Sequence, residues 1–568
     1  MNSKTISSSE IIINVIKHLT LTSNQLLLLV SAYITLILNL PFLTKSMTAI
    51  TSLEDYNLLF LLTFPAFLFG LTVILQSLFS FKWLLKPTLI ITVLLSALMF
   101  YATLTYGVVF DYGMVQNAVE TDSAELFSYF NLYAVIFFTV FGVIPAMFIY
   151  LVNVTYSPLF KQIINRVKLI VVTLILTVCI GGVFYSNYAA VGRNNKDLIS
   201  YVTPYKFVDS AYKYVRNHYF YPPLKFKLLD TAPQIVKANN NKKVTVFVLG
   251  ETARAQSFSL NGYQKQTNRY TPKQGVISFN NMASCGTATA ISVPCMFSRL
   301  DKKEYNKRIA TAQQNVIDIV HLAGADVLWV SNNNGSCKGV CTRVKTEKIA
   351  TDKGNPLCDG EYCFDEVLLQ PLRKKLTNLS SDNTLIVLHM IGSHGPTYFK
   401  RYPSDKRIFT PDCQRSDIQN CTEQELINSY DNTIAYTDYV LAQVISELAE
   451  LSNKQNVTTS MLYVSDHGES LGESGVYLHG LPYAFAPQEQ THVPMIFWTN
   501  TEQNELNLHC LESVSSNVMS HDNVFDVLLN ITSVQTKSYH RTNDPFYNCK
   551  SAVIARRSSL NNNQEVTN

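Results

Sequence analysis

The 568-residue sequence lacks a strong charge of either sign: 46 Lys and Arg against 42 Asp and Glu leave a formal net charge of +4. That balance excludes the basic footprint a nucleic-acid partner would need. No internal repeat is visible. None of the eleven cysteines stands in a CxxC pair, the spacing that structural zinc sites usually use. No small-residue cleavage site follows the first long apolar segment, which is longer and further from the N-terminus than a cleavable signal. A retained membrane anchor is therefore expected.

What is present divides into two compositions. Residues 25 to about 190 are dominated by long apolar runs, and the remainder alternates short apolar runs with Asn, Asp, Lys and Gly. A bilayer core needs about 20 apolar residues per helix, and five stretches qualify, at roughly 25–44, 57–80, 88–107, 129–152 and 169–188. Lys4 and Lys17 precede the first span, Lys82 and Lys86 lie between the second and third, and Lys161, Arg166 and Lys168 lie between the fourth and fifth. The alternate loops carry only Lys45 and none in 108–128. The positive-inside rule then places the N-terminus in the cytoplasm and everything after about 190 outside.

Cysteine usage tests that topology independently. Cys179 alone lies in the spans, where a thiol behaves as a small apolar group; the other ten lie in the outer region. Neighbours suggest Cys285–Cys295, Cys337–Cys341, Cys358–Cys363 and Cys413–Cys421, leaving Cys510–Cys549. An oxidising compartment accounts for such pairs. The expected layout is a transmembrane domain over 1–190, an interfacial helix and linker rich in Tyr and Lys over 191–240, a catalytic domain over 241–550, and a polar tail over 551–568.

Four apolar runs stand out in the outer region: "VTVFVLGE" (244–251), "ADVLWVSNNN" (325–334), "TLIVLHMIGSH" (384–394) and "SMLYVSDHG" (460–468). Continuous apolar strands alternating with helices indicate a parallel sheet covered on both faces. Residues 424–451 carry apolar positions at helical spacing and suit one cover. In such sheets ligands bind beyond the carboxyl ends of the strands. Those ends carry Glu251, Asn334 with Lys338 shortly after, His389 with His394, and Asp466 with His467. Carboxylates converging with imidazoles point to a metal, with Zn²⁺ favoured over Mn²⁺. A hydroxyl for nucleophilic chemistry is offered by "NMASCGTATAISVPCMFS" (281–298), in Thr287 or Thr289. A bound cation would lower the pKa of either.

Taken together, "GETARA", "SCGTATAISVPCMFS", "GSHGPTY", "YDNTIAYTDY", "SDHGESLGE" and "YLHGLPYAFAP", following five spans, resemble the membrane-bound phosphoethanolamine transferases of Gram-negative bacteria. That family lies within the alkaline phosphatase and sulfatase superfamily. The resemblance implies a five-helix transmembrane domain followed by a periplasmic, alkaline-phosphatase-like α/β domain of sulfatase type, with a mixed, mostly parallel sheet. It also implies zinc held by Glu251, Thr289, Asp466 and His467, with Thr289 the nucleophile. By the same resemblance His394 and His479 lie near the donor phosphate or a second metal, and Asn334 and Lys338 contact the substrate headgroup. Asn117, Thr121 and Glu125 follow i, i+4, i+8 spacing on one helical face. In the family such a face is thought to help hold the lipid.

The implied reaction moves phosphoethanolamine from phosphatidylethanolamine through a phosphoethanolamine-threonine intermediate to a lipid A phosphate of lipopolysaccharide. The expected consequence is lower surface charge and polymyxin resistance. Relatives acting on Kdo or heptose share the metal motifs. A lipoteichoic acid synthase would transfer glycerophosphate and would not be expected to carry ten outer cysteines. An arylsulfatase would need a CxPxR-like motif, which "SVPCMF" is not, and an inactive sensor would have lost ligands. The protein is expected to be a monomer in the inner membrane.

Overall fold

The computed structural model of the protein describes residues 16–51, 58–121, 131–222, 224–236, 241–333, 336–416, 418–500 and 506–550. The chain divides into two compact units, Met1–Val115 with Phe130–His218, and Gln116–Tyr129 with Tyr219–Asn568.

The first unit is helical. Leu58–Leu78, Leu85–Tyr106, Leu132–Leu151 and Leu159–Val183 are each long and apolar enough to cross a membrane. The pair Ser23–Leu38 and Leu40–Thr51 passes the same test together but bends by 59°. The sequence reads about 25–44 as one span, and the bend has a local cause. Pro41 has no N–H to continue the ladder. The Asn39 N–H and Nδ2 both donate to the Ile34 carbonyl, at 2.9 and 3.0 Å, making a wide turn. The Asn39 side chain is then braced by Thr203, donating to its carbonyl at 2.8 Å and accepting from its N–H at 2.9 Å. The last helix also differs from the expected 169–188: it begins at Leu159 behind Pro158. Lys161, Arg166 and Lys168 thus lie on its first turns rather than in a loop; the exposed Lys161 and Lys168 can reach the interface, whereas Arg166 is buried and donates to the Ser80 carbonyl at 3.1 Å. A shorter helix, Tyr205–Val215, falls within the stretch read as interfacial.

The second unit is built on an eight-stranded sheet. Its strands in chain order are β1 (Lys243–Gly250), β2 (Ile277–Ala283), β3 (Asp326–Ser331), β4 (Lys345–Lys348), β5 (Asn383–His389), β6 (Thr458–Ser465), β7 (His492–Thr499) and β8 (Met519–Ser520). Their spatial order is β8-β2-β7-β6-β1-β5-β3-β4. β7 runs antiparallel to both neighbours, and the other pairings are parallel. The four runs legible in the sequence form the contiguous block β6-β1-β5-β3. Every residue of β5 and β6 is buried, as a sheet covered on both faces requires. β7 escapes the pattern because Pro494 interrupts it, and the register shifts between Val493 and Met495 to accommodate that residue.

Glu423–Gln455 forms the long helix on one face, opened by a Thr422–Glu425 capping box and closed by Asn456 in the left-handed region. Val316–Leu322, through Val316, Ile317, Ile319 and Val320, and Val524–Ile531 bury apolar side chains with Phe247, Trp329 and Leu462 of the sheet. Five disulfides, Cys285–Cys295, Cys337–Cys341, Cys358–Cys363, Cys413–Cys421 and Cys510–Cys549, fasten the loops of this unit.

Candidate metal centre and nucleophile

Three adjacent parallel strands, β6, β1 and β5, end at the same edge of the sheet. Glu251 directly follows β1, Asp466 and His467 follow β6, and His389 closes β5. One ligand atom from each of Glu251, Asp466 and His467 lies within 4.8 Å of the others, and all three residues are fully buried.

The loops that present them are fixed by backbone contacts. Asp466 Oδ1 accepts the Thr252 N–H at 3.0 Å and the His467 N–H at 2.7 Å, leaving its Oδ2 buried with no hydrogen-bond partner among the described residues. Thr252 takes a positive φ of 57°, a strained conformation for a β-branched residue. Tyr430 of the long helix holds that turn, its hydroxyl donating to the Thr252 carbonyl at 2.8 Å and accepting the Arg254 N–H at 2.9 Å. Gly468 is required by space, since a Cβ there would collide with the Glu489 carbonyl oxygen.

Thr289 is the first residue of the helix Thr289–Met296. Its hydroxyl donates to Glu251 Oε1 at 3.0 Å and lies 3.3 Å from His467 Nε2. Thr287 does not reach the site: its hydroxyl donates to the Leu481 carbonyl at 2.5 Å. The His467 Nδ1–H faces the Gly468 carbonyl at 2.9 Å, which leaves Nε2 as the atom able to ligate.

The electrostatics fit a cation. Burial pushes the Glu251 carboxyl up, but the neighbouring His389 and His394 imidazoles outweigh it and hold the group below the usual carboxylate range. Asp466 is pushed well above that range by burial and then by the charge of Glu251. Burial and the adjacent His479 push His467 down to about 3, keeping it neutral. Two carboxylates this close cannot both ionise in an apolar setting without a positive partner. The bare Asp466 Oδ2 faces this problem directly, so the donor set fits a divalent ion. The other compact group, Cys285, Cys295 and Asp522, is not equivalent, because its two sulfurs are joined to each other.

Around this cluster the other expected residues separate. The His479 ring lies 4.4 Å from that of His467 and 5.5 Å from that of His394. His479 Nδ1 is 3.0 Å from Glu469 Oε2, and His394 Nδ1 is 2.9 Å from the Gly395 carbonyl. His389 Nε2 lies 3.9 Å from Glu251 Oε2, a neighbour of the ligand set. Lys338 donates from Nζ to the Glu120 carbonyl at 3.2 Å. Asn334 and Glu125 lie outside the described residues. The helix expected to carry Asn117, Thr121 and Glu125 on one face runs Tyr112–Glu120, and the Thr121 hydroxyl beyond it donates back to the Asn117 carbonyl at 2.8 Å.

Several contacting groups escaped the sequence reading. Asn333 donates to Glu251 Oε2 at 2.5 Å, although the sequence singles out its neighbour. Glu469 sits inside the SDHGES motif and bonds both His479 and the Tyr398 hydroxyl, the latter at 2.8 Å. Gln116 reaches the Ala290 carbonyl at 3.2 Å, and Glu120 pairs with Lys307 at 2.5 Å. No local spacing announces such long-range contacts.

Comparison with known proteins finds relatives that match both units of the chain. The family described as Sulfatase matches residues 243–534, and the family described as Phosphoethanolamine transferase EptA/EptB matches residues 68–219. Phosphoethanolamine transferase EptA of Escherichia coli (strain K12) is 37% identical over 531 residues, covering 92% of this chain and 96% of the relative. Phosphatidylethanolamine transferase Mcr-1 of Escherichia coli is 38% identical over 517 residues, covering 89% and 94%. Among solved structures, the integral membrane lipooligosaccharide phosphoethanolamine transferase A from Neisseria meningitidis superposes with a TM-score of 0.88. It is 32% identical and covers 94% of this chain and 99% of that one.

Proposed function

This chain belongs to the phosphoethanolamine transferase family, and we propose that it moves phosphoethanolamine from phosphatidylethanolamine to the phosphate groups of lipid A. It does so from the inner membrane, with its sheet domain in the periplasm. The observation that carries the reading is the Thr289 hydroxyl, 3.0 Å from Glu251 Oε1 and 3.3 Å from His467 Nε2, at the edge where Asp466 also arrives.

Glu251, Asp466, His467 and Thr289 would hold a zinc ion. When bound, that ion supplies positive charge that favours the Thr289 alkoxide and offsets charge on phosphate oxygens. The chain's own groups do the rest. Glu251 Oε1 already accepts the Thr289 proton in a hydrogen bond, which orients Oγ1 for attack on the donor phosphorus. A Thr289 O–P bond forms as the P–O bond to diacylglycerol breaks, and the departing oxygen takes up a proton. His479 suits that donation from Nε2, because its contact with Glu469 through Nδ1 orients the ring. The helix that begins at Thr289 turns its positive end toward the phosphate. A lipid A phosphate oxygen then displaces Thr289 Oγ1, and two in-line displacements retain configuration at phosphorus. Lys338 and His394 lie on the segments that would contact the substrate phosphates.

Tethering suits this chemistry because donor and acceptor are both lipids of one leaflet, so anchoring the domain raises their effective concentration at the site. The lowered negative charge of modified lipid A would weaken binding of cationic peptides such as polymyxins. Mass spectrometry of lipid A from a Gram-negative host expressing the protein tests the proposal. Wild type should add phosphoethanolamine, and Thr289→Ala at equal abundance should not. Unmodified lipid A from abundant wild type would reject the acceptor, and modification by the variant would reject the nucleophile.

A further inference from the structure

His521 lies directly after β8 and opens the short turn His521–Asn523, with 1% of its surface exposed. Its ring lies between two backbone groups. Nδ1 is 3.1 Å from the Cys285 nitrogen, and Nε2 is 3.0 Å from the Ser465 carbonyl oxygen. An N–H can only donate and a carbonyl can only accept, so one neutral tautomer, protonated at Nε2, satisfies both partners. Burial pushes this imidazole down to about 3, so the same tautomer persists at neutral pH.

Both partners stand at the entrance to reacting groups. Cys285 opens the turn that leads to Thr289, and Ser465 immediately precedes Asp466 and His467. Ser465 is itself a junction: its Oγ accepts the Ala253 N–H at 2.9 Å and donates to the His467 carbonyl at 3.1 Å. The strands leading into these segments, β2 and β6, are not neighbours, because β7 lies between them. The Cys285–Cys295 disulfide ties the turn to its own helix and not to β6. The His521 ring spans that gap directly.

We propose that His521 is a positioning residue of the transferase site: its imidazole, bridging the Cys285 N–H and the Ser465 carbonyl, sets the separation between Thr289 and the Asp466–His467 pair. The ring is suited to the task because its two nitrogens are fixed relative to one another. A primary amide can reproduce only one of the two contacts. Asn places its Oδ1 where Nδ1 accepts, and Gln places its Nε2 where the ring donates. The inference rests on the proposed roles of Thr289, Asp466 and His467.

The test uses the full chain in lipid nanodiscs with a fluorescent phosphatidylethanolamine donor, measuring kcat, KM and the thermal midpoint for wild type and for His521→Ala, His521→Asn and His521→Gln. Loss of register should act on the chemical step. An ångström of misplacement can cost on the order of 100-fold, so His521→Ala should lose about 10- to 100-fold in kcat with KM within about twofold. The assay is run well below the thermal midpoint of each variant. Asn and Gln should each recover part of the loss, and they carry the test alone if the Ala variant does not accumulate. Wild-type kcat in the Ala variant, or in both amide variants, would overturn the proposal. So would a fall in activity that tracks only the folded fraction. An inactive wild type would instead indict the transferase reading.

Discussion

The two units of this protein invert each other. In the helical unit Leu62, Leu132, Leu176 and Val178 face outward while Ser31, Thr35, Ser77 and Ser96 are buried, their hydroxyls without partners among the described residues. In the sheet unit the central strands are buried throughout, and the hydroxyls of Thr289, Thr433 and Ser465 are all engaged. Hydrocarbon outside a helix removes the drive to bury apolar surface, so the bundle is held by close packing of small residues. Gly70 shows this, because a Cβ there would collide with the Thr177 hydroxyl. Water outside the sheet unit restores that drive, and the tightly buried strands can hold their polar side chains in defined positions. Position errors should therefore be costly in the sheet unit and mild on the outer face of the bundle.

That contrast can be sharpened by substitution. The largest effect is expected at Thr289: Thr289→Ser should retain partial transfer, whereas Thr289→Ala should fall by at least about 1,000-fold, read as product formed on lipid A. Next comes Arg299, whose guanidinium bonds both carboxylate oxygens of the fully buried Asp526, at 2.8 and 2.7 Å. Arg299→Ala strands that carboxylate and should cost about 3–5 kcal/mol in chemical denaturation.

Asp544 offers a pH test, because burial pushes its carboxyl up from an ordinary 3.8 to about 6. The folded state then keeps a proton that the unfolded chain releases, so this group favours folding most at low pH. The contribution is lost as pH rises from 3.8 through 6, a loss of about 3 kcal/mol. The stability of Asp544→Asn relative to wild type should therefore improve by about that amount between roughly pH 4 and 7. Such a gain is readable from urea midpoints, and a flat difference would contradict it. The smallest effect is a matched pair. Val248→Thr in β1, at 1% exposure, should cost about 1–3 kcal/mol for a buried hydroxyl. The same change at Val172, on the outer face of Leu159–Val183, should stay within about 0.5 kcal/mol, since its hydroxyl can bond the preceding turn. Equal losses at the two positions would break the comparison.

Much of the architecture was legible because it depends on periodicity. Four apolar runs became four adjacent strands of the sheet, and the polar ends of β1 and β6 meet as the compact group Glu251, Asp466 and His467. Two things hid from that reading. Pro494 disguised β7, and Pro41 with Asn39 bent the first apolar helix pair. The residues alone also left Thr287 and Thr289 equivalent, two hydroxyls in one small-residue turn. The family resemblance favoured Thr289, and the folded chain separates the two physically, sending one to the Leu481 carbonyl and the other to Glu251.

By itself the sequence determined which solvent each half meets, because hydropathy and charge are local sums over neighbours. It also determined which residue types stand at strand ends, because strands must end where apolar runs stop. Tertiary structure decided which of those groups meet. Thr289 and His467 are 178 residues apart in the chain, and Cys285 and His521 are 236 apart. Such contacts are made by a sheet that orders its strands differently from the chain, and no window of sequence contains both partners.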